Sequence, residues 1–452
     1  MRILGTLLIT LSAITPASSV FIIIPIVFSL AGTGSFWAFV IAAIVGVFMA
    51  FVYAELSSAY PVSGGEYAVI GRTVGGGLGF IIMGLSIVTL VLIIAVIALG
   101  VGTYLGVLFD GLNGPVVAAA AVIVATVVAI FDIKFNAVVT GVFLAIEMLA
   151  LLALVLLGFL HVERPFTELL FNPVMLSDGA LAPVGFNTIM IATSVAIFAY
   201  NGYGAALFFG EETHDAHRGI AKAILWALAI TVASELIPVV AVLLGAPDLT
   251  ALFGAPQMME YFVIARGGDT LNTLVSLGIA IAVFNAVIAI ILQASRLVFS
   301  SGRDAAWPKP VSEALAATHG RYRTPWIATI LVGIASAAAC FIDIQKLSLI
   351  TGTSLIVVYA GLCLGVIMGR RNGSTSHAAY RMPLYPLPPI AALVVMGYIT
   401  YINATDPTFG QPSLMWTIGI IVVSAIYYFA VIRPRGKWVL RGPEDDDGRA
   451  TG

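Results

Sequence analysis

Twelve long apolar runs separated by short polar stretches dominate the pattern of this chain. They fall at roughly 4–30, 36–58, 78–107, 115–131, 137–160, 187–211, 219–245, 270–300, 325–341, 347–368, 387–403 and 413–432. A helical span of a bilayer needs about 20 mostly apolar residues. These runs are long and apolar on every side, whereas β-barrel strands would be short and alternating. The pattern therefore predicts an all-α integral membrane protein with twelve transmembrane helices in one domain over 1–433. The polar end of the chain, 434–452, with Pro443-Glu444-Asp445-Asp446-Asp447 at its centre, reads as a solvated, disordered tail.

Two of the runs are interrupted by poor helix formers at corresponding places. Thr15-Pro16-Ala17-Ser18-Ser19 breaks the first and Asn201-Gly202-Tyr203-Gly204 breaks the sixth, with Thr15 and Asn201 186 residues apart. Lipid cannot satisfy freed N–H and C=O groups, so an unwound stretch at membrane depth must be buried in protein or face a watery cavity. Paired interruptions point to a binding site near the membrane midplane. Each break opens a group of five spans, which predicts two repeats of opposite topology, about 1–160 and 185–370, with helices 11 and 12 (about 387–433) outside them. Pro16 as a simple kink, and Gly202 and Gly204 as packing glycines, form the plainer alternative.

The ends of half-helices suit a zwitterion. Freed N–H groups attract a carboxylate and freed C=O groups an ammonium. On this reading Thr15, Ala17, Ser18 and Ser19 hold a carboxylate, carbonyls from Phe198 to Asn201 hold an amine, and Gly202 lets the chain turn. Phe198, Tyr200 and Tyr203 are candidate gates, although aromatic residues also pack membrane helices.

Composition agrees with the membrane reading: 60% of the 452 residues are hydrophobic and 10% charged, and mean hydropathy is +1.06. The net charge of −2 says little. Its distribution says more, because short cytoplasmic loops collect Lys and Arg. With the N-terminus inside, only Arg164, Arg266 and Lys346 of the 21 basic residues fall outside. That asymmetry predicts a multi-pass protein of the cell (inner or plasma) membrane with both termini cytoplasmic. No cleavable signal peptide is expected, since the first apolar run continues past Pro16.

Both cysteines lie in predicted helices and all five histidines lie in loops or at helix ends, which argues against an intramembrane zinc or histidine enzyme. Gly75-Gly76-Gly77-Leu78-Gly79 lacks the Lys-Ser or Lys-Thr of a phosphate loop. No enzymatic activity, cofactor, metal or nucleic-acid partner is expected, and with no ATP-binding domain visible the energy should come from an ion gradient or exchange.

Ala54-Glu55-Leu56, Pro61, Ser63-Gly64-Gly65-Glu66-Tyr67, Gly71 and Gly75 to Gly79 resemble the signature between the second and third helices of amino acid-polyamine-organocation (APC) permeases. Phe198 to Gly204, followed by Gly210-Glu211-Glu212-Thr213, is similar to that family's second hallmark. The resemblance covers about residues 1–433 and implies a LeuT-type bundle, a 5+5 inverted repeat with two extra C-terminal helices, that moves amino acids or related amines by alternating access. It also implies that Thr89 and Asn285 lie near the pocket. Relatives handling charged substrates carry an acidic residue near Gly204, so its absence favours a neutral amino acid. An amine, polyamine or other organic-ion permease and a non-transporting sensor remain the alternatives.

Glu147 and Glu235 lie deep in predicted spans, where a charge is costly enough to suggest function. Either is a candidate to carry a coupling proton. Many proton-coupled relatives have a lysine where Glu147 stands, so three roles stay open for it: proton carriage, a fixed hydrogen-bond acceptor for the first helix, or contact with a cationic substrate. The sodium site implied by the resemblance needs paired hydroxyls on the eighth helix, where only the separated Ser276 and Ser295 occur, so H+ is favoured over Na+. Glu211 and Glu212 are candidate gate residues, with Glu55, Glu66 and Arg218 on the same side.

Overall fold

The computed structural model describes residues 3–441 apart from 107, 108, 110, 132, 214, 323 and 437; side chains are described for the same residues except 3, 4, 9, 133–142 and 212. Nine helical stretches among the described residues are long and apolar enough to cross a membrane, and Gly114–Ile130 and Trp326–Ala339 are shorter apolar helices. The first stretch, Gly5–Ala59, is divided by a turn at Gly32–Gly34. Gly32 has φ 54°, and a β-carbon there would sit 2.1 Å from the Val174 carbonyl oxygen, so only glycine fits.

Burial orders the bundle from centre to rim. Phe186–Glu211 is 89% buried across its most apolar window, whereas Gly410–Arg435 is 11% buried. The outermost helix turns Met415, Trp416 and Val423 outward, each more than 60% exposed. In lipid such side chains carry no penalty. The inner helices bury hydroxyls instead, and several of these donate to the carbonyl four residues back, as Thr10, Thr126, Thr193 and Thr231 do. Helix Ile3–Ile14 packs against Ala216–Gly245 and Met258–Arg303, and Gly76–Gly106 packs against Met258–Arg303 and Ile344–Asn372. The two broken helices thus stand at the centre.

Two features differ from the sequence expectation. A small antiparallel hairpin, β1 (Val174–Ser177) and β2 (Ala180–Pro183), fills the connection before the sixth span. Its two-residue turn, Asp178-Gly179, has both φ angles positive (50° and 81°), as tight right-twisted hairpins require. It packs beside the Gly32–Gly34 turn through Thr33, whose hydroxyl bonds both the N–H and the C=O of Val174.

The segment expected to be a disordered tail from 434 is also ordered as far as it is described. Trp438 packs edge-on against Phe80 at 5.4 Å, and the main chain at 440–441 is held by Arg72, Arg303 and Asp304. Its aromatic and charged partners lie far away in sequence, which is why composition alone suggested a free tail. Residues 442–452, including Pro443 to Asp447, lie outside the described residues.

Candidate functional site

The break in the first helix is narrower than five unwound residues. Helix Ile3–Ile14 ends at Thr15, the single left-handed residue (φ 48°, ψ 74°), and helix resumes at Pro16, followed by a wide π-helical turn over Ser19–Ile23. Proline is well suited to a first helical position because its fixed φ is helical and it has no N–H to satisfy. The freed N–H of Ala17 donates to Glu147 Oε1 at 2.7 Å. Glu147, 3% exposed, therefore stands as an acceptor for the break. Thr15 and Ser18 are buried, and neither hydroxyl has a hydrogen-bond partner among the described residues.

In the sixth helix, Phe186–Ala199 ends at Tyr200, and Gly202 turns the chain (φ 123°, ψ −23°) into the 3-10 helix Tyr203–Glu212. The two breaks meet. Ser19 Oγ donates to the Ala199 carbonyl at 2.9 Å, and a β-carbon on Gly202 would lie 2.9 Å from Ile14 Cα.

Two cavities flank this junction, each with about 20 Å3 of room for water, and they share Leu90, Ile93, Asn201, Gly202 and Gln293. One is lined by Ser19 and Phe198 with apolar Ile14, Ile23, Ile97 and Ile290. The other is lined by Glu66, Ser86 and Thr89 together with Phe208, Leu355 and Val358. Of the predicted contacts, Ser19, Thr89, Phe198, Asn201 and Gly202 line a cavity. Thr15, Ala17 and Ser18 sit in the break itself without lining either one. Asn285 is buried on the long helix but reaches neither cavity, a departure from its expected place. Gln293, two turns further along that helix, does. Its signal was present in the sequence as the one amide in an otherwise apolar run, Ala289 to Ala294.

Two of the expected gates point elsewhere. The Tyr200 ring packs edge-on against Phe39 at 5.4 Å, with no hydrogen-bond partner for its hydroxyl among the described residues. Tyr203 joins Tyr53 and Tyr359 in a buried aromatic cluster. Its hydroxyl donates to Tyr359, which donates to Asn201 Oδ1 at 3.1 Å. Tyr53 donates to Glu66 Oε1 at 3.0 Å. Burial pushes the Glu66 carboxyl up to about 7, against the opposing hydrogen bonds from its own backbone and Tyr53.

Glu235 is fully buried, and neither carboxyl oxygen has a hydrogen-bond partner among the described residues. Its carboxyl lies near Ser19 and within electrostatic reach of Glu147 and Tyr200. The helices that carry the two acids pack against each other and against the first break, with Glu147 pinned to the backbone.

Residues 3–426 match the family described as amino acid permease. The chain belongs to that family. Similar proteins include the methylthioribose transporter of Bacillus subtilis (25% identical, 89% of this chain and 87% of the relative) and its branched-chain amino acid permease BcaP (22%, 91% and 90%). The serine/threonine exchanger SteT of the same organism is 23% identical over 75% of this chain and 76% of the relative.

At one end of the permease, Glu211 accepts the Ser63 N–H at 2.9 Å and pairs with Arg303 at 3.2 Å. Arg303, the partner missed by sequence reasoning, also reaches the Arg441 carbonyl at 3.3 Å. The Glu212 side chain lies outside the described residues. Glu55 is fully buried and held by both arms of Arg370 at 2.7 and 2.6 Å and by the Met382 N–H. Asp304 accepts from Tyr67 and from the Arg441 N–H, and burial raises it to about 6. These acids tie the loop and C-terminal segments to the bundle.

Proposed function

We propose that this permease is a secondary active transporter that moves a neutral amino acid across the cell membrane by alternating access, coupled to protons or working by exchange. The observation that carries the reading is the junction of the two breaks. There the Ser19 hydroxyl and the Ala199 carbonyl satisfy one another at 2.9 Å beside two small cavities. A zwitterion offers the partners both need: its carboxylate accepts from Ser19 and nearby N–H groups, and its ammonium donates to the Ala199 carbonyl. Binding then exchanges one internal hydrogen bond for two to the ligand. Because each cavity has room for only about one water, entry also requires the helices to move apart, as alternating access demands.

Counting Gly5–Ala59 as two spans divided at Gly32–Gly34 and adding the two shorter apolar helices to the nine long stretches gives twelve. That count suits the LeuT-type 5+5 arrangement with two further helices and cytoplasmic termini, on which Glu211 and Arg303 form an inward gate. Glu235 is the better-placed proton carrier, since a charge at that depth has no partner among the described residues to offset it. Glu147 serves as the acceptor that holds the first break. The methylthioribose transporter among the relatives supports a second reading, an uncharged organic solute other than an amino acid.

The test is uptake by purified protein in liposomes, with labelled amino acids, amines and methylthioribose under separately imposed proton and sodium gradients. Proton-driven uptake of a neutral amino acid is expected. Glu235→Gln should abolish the proton dependence, while Glu147→Gln, which keeps an acceptor for Ala17, should retain it. Methylthioribose transport without amino-acid transport would replace the proposal with the second reading.

A further inference from the structure

The two cavities at the junction share one wall and differ in the side chains that line the rest of each. The one beside Phe198 offers methyl and methylene groups from Ile14, Ile23, Ile97 and Ile290. The other sets Glu66, Ser86, Thr89, Asn201 and Gln293 among apolar groups that include Phe208, Leu355 and Val358, around a space of about 20 Å3, the size of one water or one hydroxyl. Its groups are arranged to serve both sides of a hydroxyl. Glu66 and the lone pairs of Thr89, whose own proton goes to the Leu85 carbonyl, accept. The Gln293 and Asn201 amides donate. Ser86 is the telling member: it is 5% exposed, lines the cavity, and its hydroxyl has no hydrogen-bond partner among the described residues. A buried polar group left unpaired is costly, and it is relieved by a ligand group that completes the bond.

We propose that the cavity beside Ser86 is a hydroxyl-recognising subsite, which makes the permease select amino acids with a β-hydroxyl, serine and threonine, over aliphatic ones. The inference rests on the amino-acid reading above. With the main-chain carboxylate and ammonium at Ser19 and Ala199, the β-carbon lies at the shared wall of Asn201, Gly202 and Gln293. Threonine then sends its methyl into the isoleucine-lined cavity and its hydroxyl toward Ser86. Valine has the same shape but leaves the buried Ser86 hydroxyl without a bond. A site built to bond a substrate hydroxyl discriminates strongly against the analogue lacking it, far more than an apolar pocket does against an extra methylene.

The experiment compares initial uptake of labelled L-threonine and L-valine by the full-length protein in liposomes. A threonine preference of at least about tenfold is expected in the unmodified protein, which requires no variant to fold. Ser86→Ala should lower that ratio several-fold. Gln293→Leu should lower it further and raise valine uptake in absolute terms. Equal transport of the two amino acids, or variants that transport with the original ratio, would overturn the subsite alone. Transport of neither amino acid would overturn the amino-acid reading and the subsite with it.

Discussion

Gly202→Ala tests the geometry of the junction directly, because two separable costs meet at that residue. The backbone has φ 123°, a region that L side chains rarely adopt, and forcing an alanine there costs about 1–3 kcal/mol. The new β-carbon would also lie 2.8 Å from Ile14 Cγ1, 2.9 Å from Cα and 3.2 Å from N, so part of the clash is with backbone. Overpacking of this kind adds about 1–3 kcal/mol, for a combined loss of about 2–6 kcal/mol. Two neighbours separate the terms. Gly75 has φ 139° with nothing within 4 Å of a β-carbon, so Gly75→Ala carries strain alone. Gly204 carries no such φ but would meet the Tyr53 ring at 2.7 Å, so Gly204→Ala carries contact alone. Thermal stability of the detergent-solubilised protein, followed by size exclusion, should rank Gly202→Ala as the least stable, and uptake by that variant should fall furthest. A Gly202→Ala protein no less stable than Gly75→Ala would refute the close approach of the two breaks.

Arg370→Ala removes both nitrogen partners of the buried Glu55 and leaves it the Met382 N–H. A loss of about 3–5 kcal/mol is expected, because breaking one side of a buried pair strands the other charge; the double variant Glu55→Gln/Arg370→Met should recover much of it in the same thermal assay. Glu66 supplies a pH signature. Its carboxyl holds a proton more tightly when folded, about 7 against an ordinary 4.5. Folding is therefore favoured most below 4.5 and loses stability as pH rises towards 7, by roughly 3 kcal/mol for a shift of that size. Glu66→Gln should flatten the melting-temperature profile between pH 5 and 7 relative to the unmodified protein; a parallel profile would show that the group does not titrate in that window.

Span positions were legible because run length and polarity encode them. The helices Gly76–Gly106, Ala216–Gly245 and Leu387–Thr405 begin and end within a few residues of the apolar runs. Both breaks were visible too, as clusters of poor helix formers. What hydropathy did not carry was how the chain behaves inside a break. Pro16 looked like a disruption, yet it restarts a helix after one left-handed residue. The Asp178-Gly179 turn had a short-range signature that lay unread between two membrane runs. Long-range partners were beyond any local pattern: Ala17 with Glu147, Ser19 with Ala199, Glu211 with Arg303. Gln293 lay between, visible as an odd residue while its cavity was not.

Arg303 holds Glu211 through both terminal nitrogens, and one of these also reaches the Arg441 carbonyl, while Arg72 and Asp304 fasten the same few residues. The last described stretch is thus a keystone resting on the rim of the bundle, and shortening the chain before Trp438 would be felt at Glu211. Such a cut would remove bonds that reach Glu211 through Arg303 while leaving every membrane helix in place.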